Sequence, residues 1–158
     1  MLLLFRLIST VQVQKRGPPN EIGHSRGGAS TKIHAVVDAY GYPVYFMISE
    51  GQRNDINYAL PLLEHVNTTG SNVLADRGYD SNKLLDYVYD HGGEPTIPSR
   101  KGAKFDRHCD WWLYKERHLV ENYFLKLKAF RRIATRYDKL ASTFLGFVCI
   151  VSILIWLK

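Results

Sequence analysis

The sequence is poor in cysteine: Cys109 and Cys149 stand far apart, outside any Cys-x-x-Cys pattern. That excludes a disulfide framework and suggests a reducing compartment. The six histidines are scattered, and none forms a zinc spacing with these cysteines. "MLLLFRLIST" has no basic leader ahead of its apolar run and no small-residue cleavage site, so it does not read as a secretory signal. No Asp or Glu occurs before Glu21. Internal repeats and low-complexity tracts are also lacking. Long uncharged runs are nearly absent. The exception is "LASTFLGFVCIVSILIWL", residues 140–157, which comes just within membrane-spanning length. Ser142, Thr143, Gly146 and Ser152 dilute it and a basic stretch precedes it directly, so it is expected to be a buried terminal helix with no membrane partner.

What is present argues for one folded domain. The chain has 158 residues, 46% of them apolar, and 20 aromatic side chains, enough to build a core and too many for a disordered segment. The net charge of +6 is unevenly placed. Residues 100–139 hold 12 Lys/Arg against 5 Asp/Glu, whereas the rest holds 9 against 10. A basic segment of that kind favours phosphate-rich partners through counterion release. A merely solvated basic surface would show the same charge count.

Patterning gives a coarse element order. "LISTVQVQ" (residues 7–14) alternates as a strand does, and a Gly/Pro/Ser-rich loop, "KRGPPNEIGHSRGGAS", follows. "TKIHAVVD" and "YPVYFMIS" read as two strands around the turn "AYGY", with Gly41 supplying a positive φ. Residues 56–66 predict a helix capped by Asp55 or Asn57. "SNVLAD" is a short buried strand. "SNKLLDYVYDH" is a helix stopped at Gly92–Gly93, "EPTIP" a brief strand, and "SRKGAKFDRHCD" a basic loop. The expected fold class is α/β: a mixed sheet of three antiparallel strands, then alternating helices and strands, flanked by helices.

The chemistry concentrates in "YKERHLVENYFLKLKAFRR", residues 114–132. On one continuous helix Tyr114, Arg117, Glu121 and Lys128 fall within about 60° of each other. Leu113, Leu119, Val120, Tyr123, Phe124 and Leu127 cover much of the remaining circumference. Arg117 and Glu121 can be an ordinary i,i+4 surface pair. Arg117 can equally orient Glu121 or bind phosphate in bidentate fashion. Asp76 ends the "VLAD" strand, where open α/β sheets present functional groups. It reads either as an exposed strand end or as a ligand. Asp80 is expected to cap the next helix. A strand-end Asp and a helix Glu that meet can hold a hard divalent cation and support phosphodiester chemistry.

These residues resemble a known family, the DDE transposases of bacterial insertion sequences. Tyr114, Arg117, Glu121 and Lys128 fit the Tyr-x2-Arg-x3-Glu-x6-Lys signature, and "ADRGYDS" resembles the segment carrying the second catalytic Asp, here Asp76. "GHSRGGASTKIHAVVDAYGYPVYFMISEGQ" and "HLVENYFLKLKAFRRIATRYDKLASTFL" extend the likeness from about residue 17 to the last residue. The resemblance implies a ribonuclease-H-like catalytic fold and two Mg2+ (or Mn2+) ions. It implies hydrolysis at transposon ends and strand transfer into target DNA. Asp76 and Glu121 would be the catalytic metal ligands. Tyr114, Arg117, Lys128, Arg131 and Arg132 would contact double-stranded DNA. Tyr123, Phe124 and Phe130 would add aromatic surface to that groove. It also implies a homodimer or pairing with full-length transposase, in a cytoplasmic, nucleoid-associated protein.

One part of the pattern is missing. The family's first-strand segment resembles "Ile-Asp-Ser-Thr", and this chain reads "LIST", with Ile8 at the acidic position. Asp38 is the tempting substitute, but a place in the hairpin turn accounts for it. The linker between "TVQVQ" and "GPPNEIG" also looks short. The expectation is therefore a single catalytic domain, residues 1–158, truncated at its N-terminus. Its two-ion site is incomplete and its activity weak or absent. The alternative is a DNA-binding remnant that interferes with full-length transposase.

Overall fold

The structure, a computed structural model, describes residues 2–13, 22–25, 28–104 and 106–158; for residues 2–13, 24 and 25 only the backbone is described. Among the described residues the strands of the sheet are β1 (Leu2–Val13), β2 (Gly23–Ser25), β3 (Gly28–Asp38), β4 (Pro43–Glu50), β5 (Asn72–Leu74), β6 (Glu94–Thr96) and β7 (Thr135–Arg136). The sheet runs β2-β3-β1-β5-β6, with β4 also on β3 and β7 also on β1. β3 is antiparallel to β1, β2 and β4, while β5 and β7 run parallel to β1 and β6 parallel to β5. β1 starts earlier than "LISTVQVQ" suggests. The expected Gly/Pro/Ser loop gives way to β2 and the start of β3, and residues 14–21, including the short linker, lie outside the described residues.

Helices cover both faces of the sheet, and strand alternation decides which residue meets which layer. On β3, Ile33, Ala35 and Val37 join the core formed with α4 (His118–Lys128), α5 (Arg131–Ala134) and α6 (Ala141–Trp156). Val36 joins the opposite core with α1 (Ile56–Leu63) and α2 (Asn82–Asp90). β5 splits in the same way: Leu74 faces α4, whereas Val73 and Ala75 face α1 and α2. Val120, Tyr123, Phe124 and Leu127 bury α4 against the sheet. Each such side chain contributes roughly 1.5–3 kcal/mol of apolar burial.

Connections follow local chemistry, with several departures from expectation. Asp38 Oδ1 accepts from Tyr40 N and Tyr42 N at 2.9 Å each, and Gly41 takes φ +80° against Leu119 of α4, so the hairpin turn does explain Asp38. At the end of α2, Gly92 N bonds Tyr89 O and Gly93 N bonds Val88 O, with Gly92 at φ +69°, a Schellman stop. Asp55 occupies the N-cap position of α1, as expected, but its side chain makes no capping bond and instead accepts from Lys32 Nζ at 2.8 Å. Asp80 does not cap α2. Ser81 does, accepting from Leu84 N, while Asp80 accepts from Arg100 N and pairs with Arg107. Burial pushes the Asp80 carboxyl upward, but Arg107 and Arg100 outweigh it and hold the group below the usual range. Asp80 therefore pins the basic loop.

The terminal helix is half buried, not wholly buried as expected. Phe144, Val148, Val151, Ser152 and Ile155 face the core, while Ile150, Ile153, Leu154, Trp156 and Leu157 are exposed. Ser152 Oγ bonds the buried Tyr123 hydroxyl at 2.8 Å, and Trp156 Nε1 donates to Pro43 O at 2.9 Å, fixing α6 to both α4 and β4. Among the described residues no helix is long and apolar enough to cross a membrane. The fully buried Arg136 ties this layer to the sheet, donating to Thr31 Oγ1, Asp138 O and Lys139 O beneath the Phe144 ring.

A buried histidine makes the fold sensitive to acid. His34 on β3 stacks on Tyr58 of α1 at 4.4 Å, and its Nε2 lies 2.6 Å from Ser49 Oγ. Burial first, and the Lys32 charge second, hold its pKa down to about 3, against 6.5 for the free side chain. The unfolded chain thus binds the extra proton more readily below 6.5, so the stabilising effect of neutral His34 is complete above that pH and is lost as pH falls towards 3. From pH 6.5 to 4.5 this amounts to about 2 kcal/mol. Urea unfolding of His34→Gln is expected to show a shallower loss of stability over that interval than the parent; an identical pH slope would remove His34 from the account.

Candidate functional site

Asp76 follows β5 with extended geometry, φ −67° and ψ 160°. Two positions beyond Leu74, it continues onto the face that carries α4. The acidic side chain reaches this face because Leu74 is buried there, while Val73 and Ala75 anchor the other side. A 3₁₀ turn, Arg77–Tyr79, then carries the chain away, with Tyr79 buried.

The opposite wall is not the single helix expected over residues 114–132. Asp110 caps a four-residue helix, α3 (Trp111–Tyr114), a 3₁₀ turn Lys115–Arg117 follows, and α4 starts at His118. After Lys128 the chain straightens at Phe130 before α5. Both the 3₁₀ turn and α4 pack against β1. The extended backbone at Phe130 turns α5 so that Ile133 enters the core.

Three of the four stripe residues converge on Asp76. Arg117 Nη1 lies 3.0 Å from Asp76 Oδ1 and 3.1 Å from Glu121 Oε1. The two carboxylate oxygens are thus no farther apart than the sum of those distances. These contacts are ion pairs and not well-aligned hydrogen bonds, so charge and not direction holds the guanidinium there. Tyr114 Oη donates to Asp76 Oδ1 at 3.3 Å, and the Arg117 guanidinium lies 5.5 Å from the centre of the Tyr114 ring. Burial pushes the Tyr114 phenol up, Asp76 pushes it further, and Arg117 partly opposes this, so the group stays a proton donor.

The remaining candidates lie outside this cluster. Lys128 is exposed, two turns farther along α4. Arg131 is exposed at the start of α5, and Arg132 pairs with Asp138 at 3.1 Å and lies over the Phe147 ring. Tyr123 and Phe124 are core residues, which corrects their reading as groove-lining aromatics; burial pushes the Tyr123 phenol up as well. Sequence patterning missed the exposed Trp111 and Trp112 beside Tyr114. The signal was available, since two adjacent tryptophans just after a helix cap cannot both face one core.

The position of Ile8 bears on metal binding. β1 pairs with β5 at Leu4–Leu74, so residue 6 is level with Asp76 and residue 8 lies beyond it. The ladder with β3 shifts between Leu7–His34 and Ser9–Ile33, which leaves Ile8 in a bulge. Bulges of this kind re-aim a strand beside functional sites. Asp76 and Glu121 fit as two oxygen donors to one hard cation. A third carboxylate does not join them: among the described residues no group of three or more His, Cys, Asp or Glu is placed to share a metal ion.

Comparison with known proteins places the chain in a family. A family described as "Transposase DDE domain" matches residues 9–110, and a second of the same description matches residues 73–158. The chain belongs to the DDE transposases. It is 38% identical over 133 residues to the Brucella ovis "Putative transposase for insertion sequence element IS6501", a match covering 82% of this chain and 99% of that protein. It is 32% identical over 133 residues to the Burkholderia cepacia "Putative transposase for insertion sequence element IS402", covering 78% of this chain but only 60% of that longer relative. A solved structure, a piggyBac transposase synaptic complex with hairpin DNA, aligns at a TM-score of 0.43 and 18% identity, over 65% of this chain and 23% of that one.

The ion-pair geometry makes a direct prediction for this family member. Arg117→Gln leaves two carboxylates facing each other without their shared cation, and is expected to lower stability by about 1 kcal/mol. Adding Glu121→Gln to that variant removes the repulsion and restores most of the loss. Chemical denaturation of the two single variants and the double variant checks this; additive losses would mean that the three groups do not interact.

Proposed function

We propose that the chain is a ribonuclease-H-like DDE transposase catalytic domain that binds insertion-sequence DNA and is impaired in strand cleavage and transfer. The observation that carries this reading is the meeting of Asp76 and Glu121 at one Arg117 nitrogen. The strand order β4-β3-β1-β5-β6, with β5 and β6 parallel to the central strand, supports the fold assignment.

Asp76 and Glu121 are the side chains that would hold a divalent cation, Mg2+ or Mn2+. Such an ion activates an attacking hydroxyl and stabilises the leaving oxygen of a phosphodiester. The chain's own residues do the rest. Arg117 balances the acid pair and offers a planar donor to a phosphate. Tyr114 donates to Asp76 and so orients it. Lys128, Arg131 and Arg132 extend a cationic track along α4 and α5 that suits the DNA backbone. With an isoleucine at the third acidic position, a two-ion site lacks bridging charge, and cleavage and strand transfer are slow or absent.

The second reading is a DNA-binding remnant with no chemistry, acting on a full-length transposase; Ile8 in the β1 bulge favours it. Retention of duplex DNA at increasing salt, with nicking and strand transfer assayed in Mg2+, separates the two. The proposal expects steep salt dependence with weak Mg2+-dependent nicking that Glu121→Gln abolishes. Steep salt dependence with no nicking at all supports the remnant. A flat salt dependence contradicts any phosphate-binding surface, and robust strand transfer lost in Glu121→Gln contradicts the impairment. In the same assay Lys128→Gln is expected to weaken binding evenly across sequences and to reduce the salt slope by about 1.

A further inference from the structure

Arg117 stands between the two acids. Its Nη1 lies 3.0 Å from Asp76 Oδ1 and 3.1 Å from Glu121 Oε1, so one nitrogen spans the gap that a bridging cation would fill. Its side chain is the most enclosed of the three, 21% exposed against 35% for Asp76 and 39% for Glu121. Nε and Nη1 are buried and make no aligned hydrogen bond. The Tyr114 ring backs the guanidinium, with its centre 5.5 Å away. Charge alone holds the group against the acids, and its buried donors gain hydrogen bonds when it returns to water.

We propose that the Arg117 guanidinium is an internal competitor for the divalent cation, so that the ion binds the acid pair only by displacing it. This rests on the reading of Asp76 and Glu121 as the cation ligands. Mg2+ sits about 2.1 Å from a carboxylate oxygen, so an ion on Asp76 Oδ1 would lie no farther than about 5 Å from Nη1 while the arginine stayed in place. At that range, in a partly enclosed site, the like charges repel strongly. Two carboxylates and one guanidinium leave a single net negative charge for a dication, and Ile8, at the third acidic position, adds none. A third carboxylate would leave two negative charges even with the arginine present, so its loss makes the competition matter more here. Poor alignment of the guanidinium contacts lowers the cost of removing it, which makes the arginine displaceable. An arginine that merely steadied the acids from behind would act the other way and raise their affinity for the ion.

The test uses the whole chain and Mn2+ alone, with free ion counted by electron paramagnetic resonance. Arg117→Gln is expected to bind Mn2+ at least about fivefold more tightly than the parent, the low end of typical coupling between sites. Arg117→Lys keeps the positive charge and should stay within about twofold of the parent. Adding Glu121→Gln to Arg117→Gln should abolish the gain, which assigns the ion to the acid pair. The parent is also read directly, free of any folding defect in a variant. Arginine side-chain NMR follows the Arg117 Nε–H, assigned by its loss in Arg117→Gln, as Mg2+ is added. Its slow exchange with water should rise to that of an exposed arginine at saturation. Unchanged or weaker Mn2+ binding in Arg117→Gln that is still lost on adding Glu121→Gln overturns the competition and leaves the acids as ligands. An equal gain in Arg117→Lys, or an Nε–H unmoved by saturating Mg2+, does the same. Mn2+ binding that ignores Glu121→Gln in every background overturns both readings.

Discussion

The burial of Leu74 on the α4 side of the sheet is the constraint on which the site depends. A strand places alternate side chains on opposite faces, so that one buried leucine sends Asp76 to the face where α4 lies. Val73 and Ala75 make the choice irreversible, because a slip of one residue would put the acid into the α1–α2 core. An uncompensated carboxylate there would cost several kcal/mol. The apolar face of α4, led by Val120, Tyr123 and Phe124, then brings Glu121 to the same edge. Apolar packing thus assembles a charged site that electrostatics alone would oppose, since two carboxylates repel.

Arg117 resolves that repulsion within the chain. Its guanidinium lies between the acids and against the face of Tyr114, whose hydroxyl steadies Asp76 from another direction. The arginine ends the 3₁₀ turn Lys115–Arg117, one turn ahead of Glu121.

Much of this was legible in the sequence. Periodicity located β3, β4, α2 and the glycine stop after it, because those elements carry strong alternation or a Gly-Gly pair with a defined backbone role. The convergence of Asp76, Arg117 and Glu121 followed from a strand-end acid and a helical stripe. The breaks at residues 115–117 and at Phe130 were not legible, since the residues there have ordinary helix propensity and tertiary packing sets the bend. Asp80 was misread as a cap because an Asp beside a helix start usually is one; its partner Arg107 lies on a loop that no local pattern connects to it. Tyr123 and Phe124 were misassigned for a similar reason: aromatic residues among lysines look like a DNA groove until the core claims them. The half-exposed α6 shows the limit of composition, which cannot tell a buried apolar helix from one buried on a single face.

The central claim, that one cation can be held between residues 76 and 121, is tested most directly by diffraction from crystals soaked in Mn2+. An anomalous peak is expected roughly 2.0–2.3 Å from an oxygen of each carboxylate, with the Arg117 guanidinium moved aside. A peak bound to one acid alone, or Mn2+ sites only elsewhere on the surface, would contradict it.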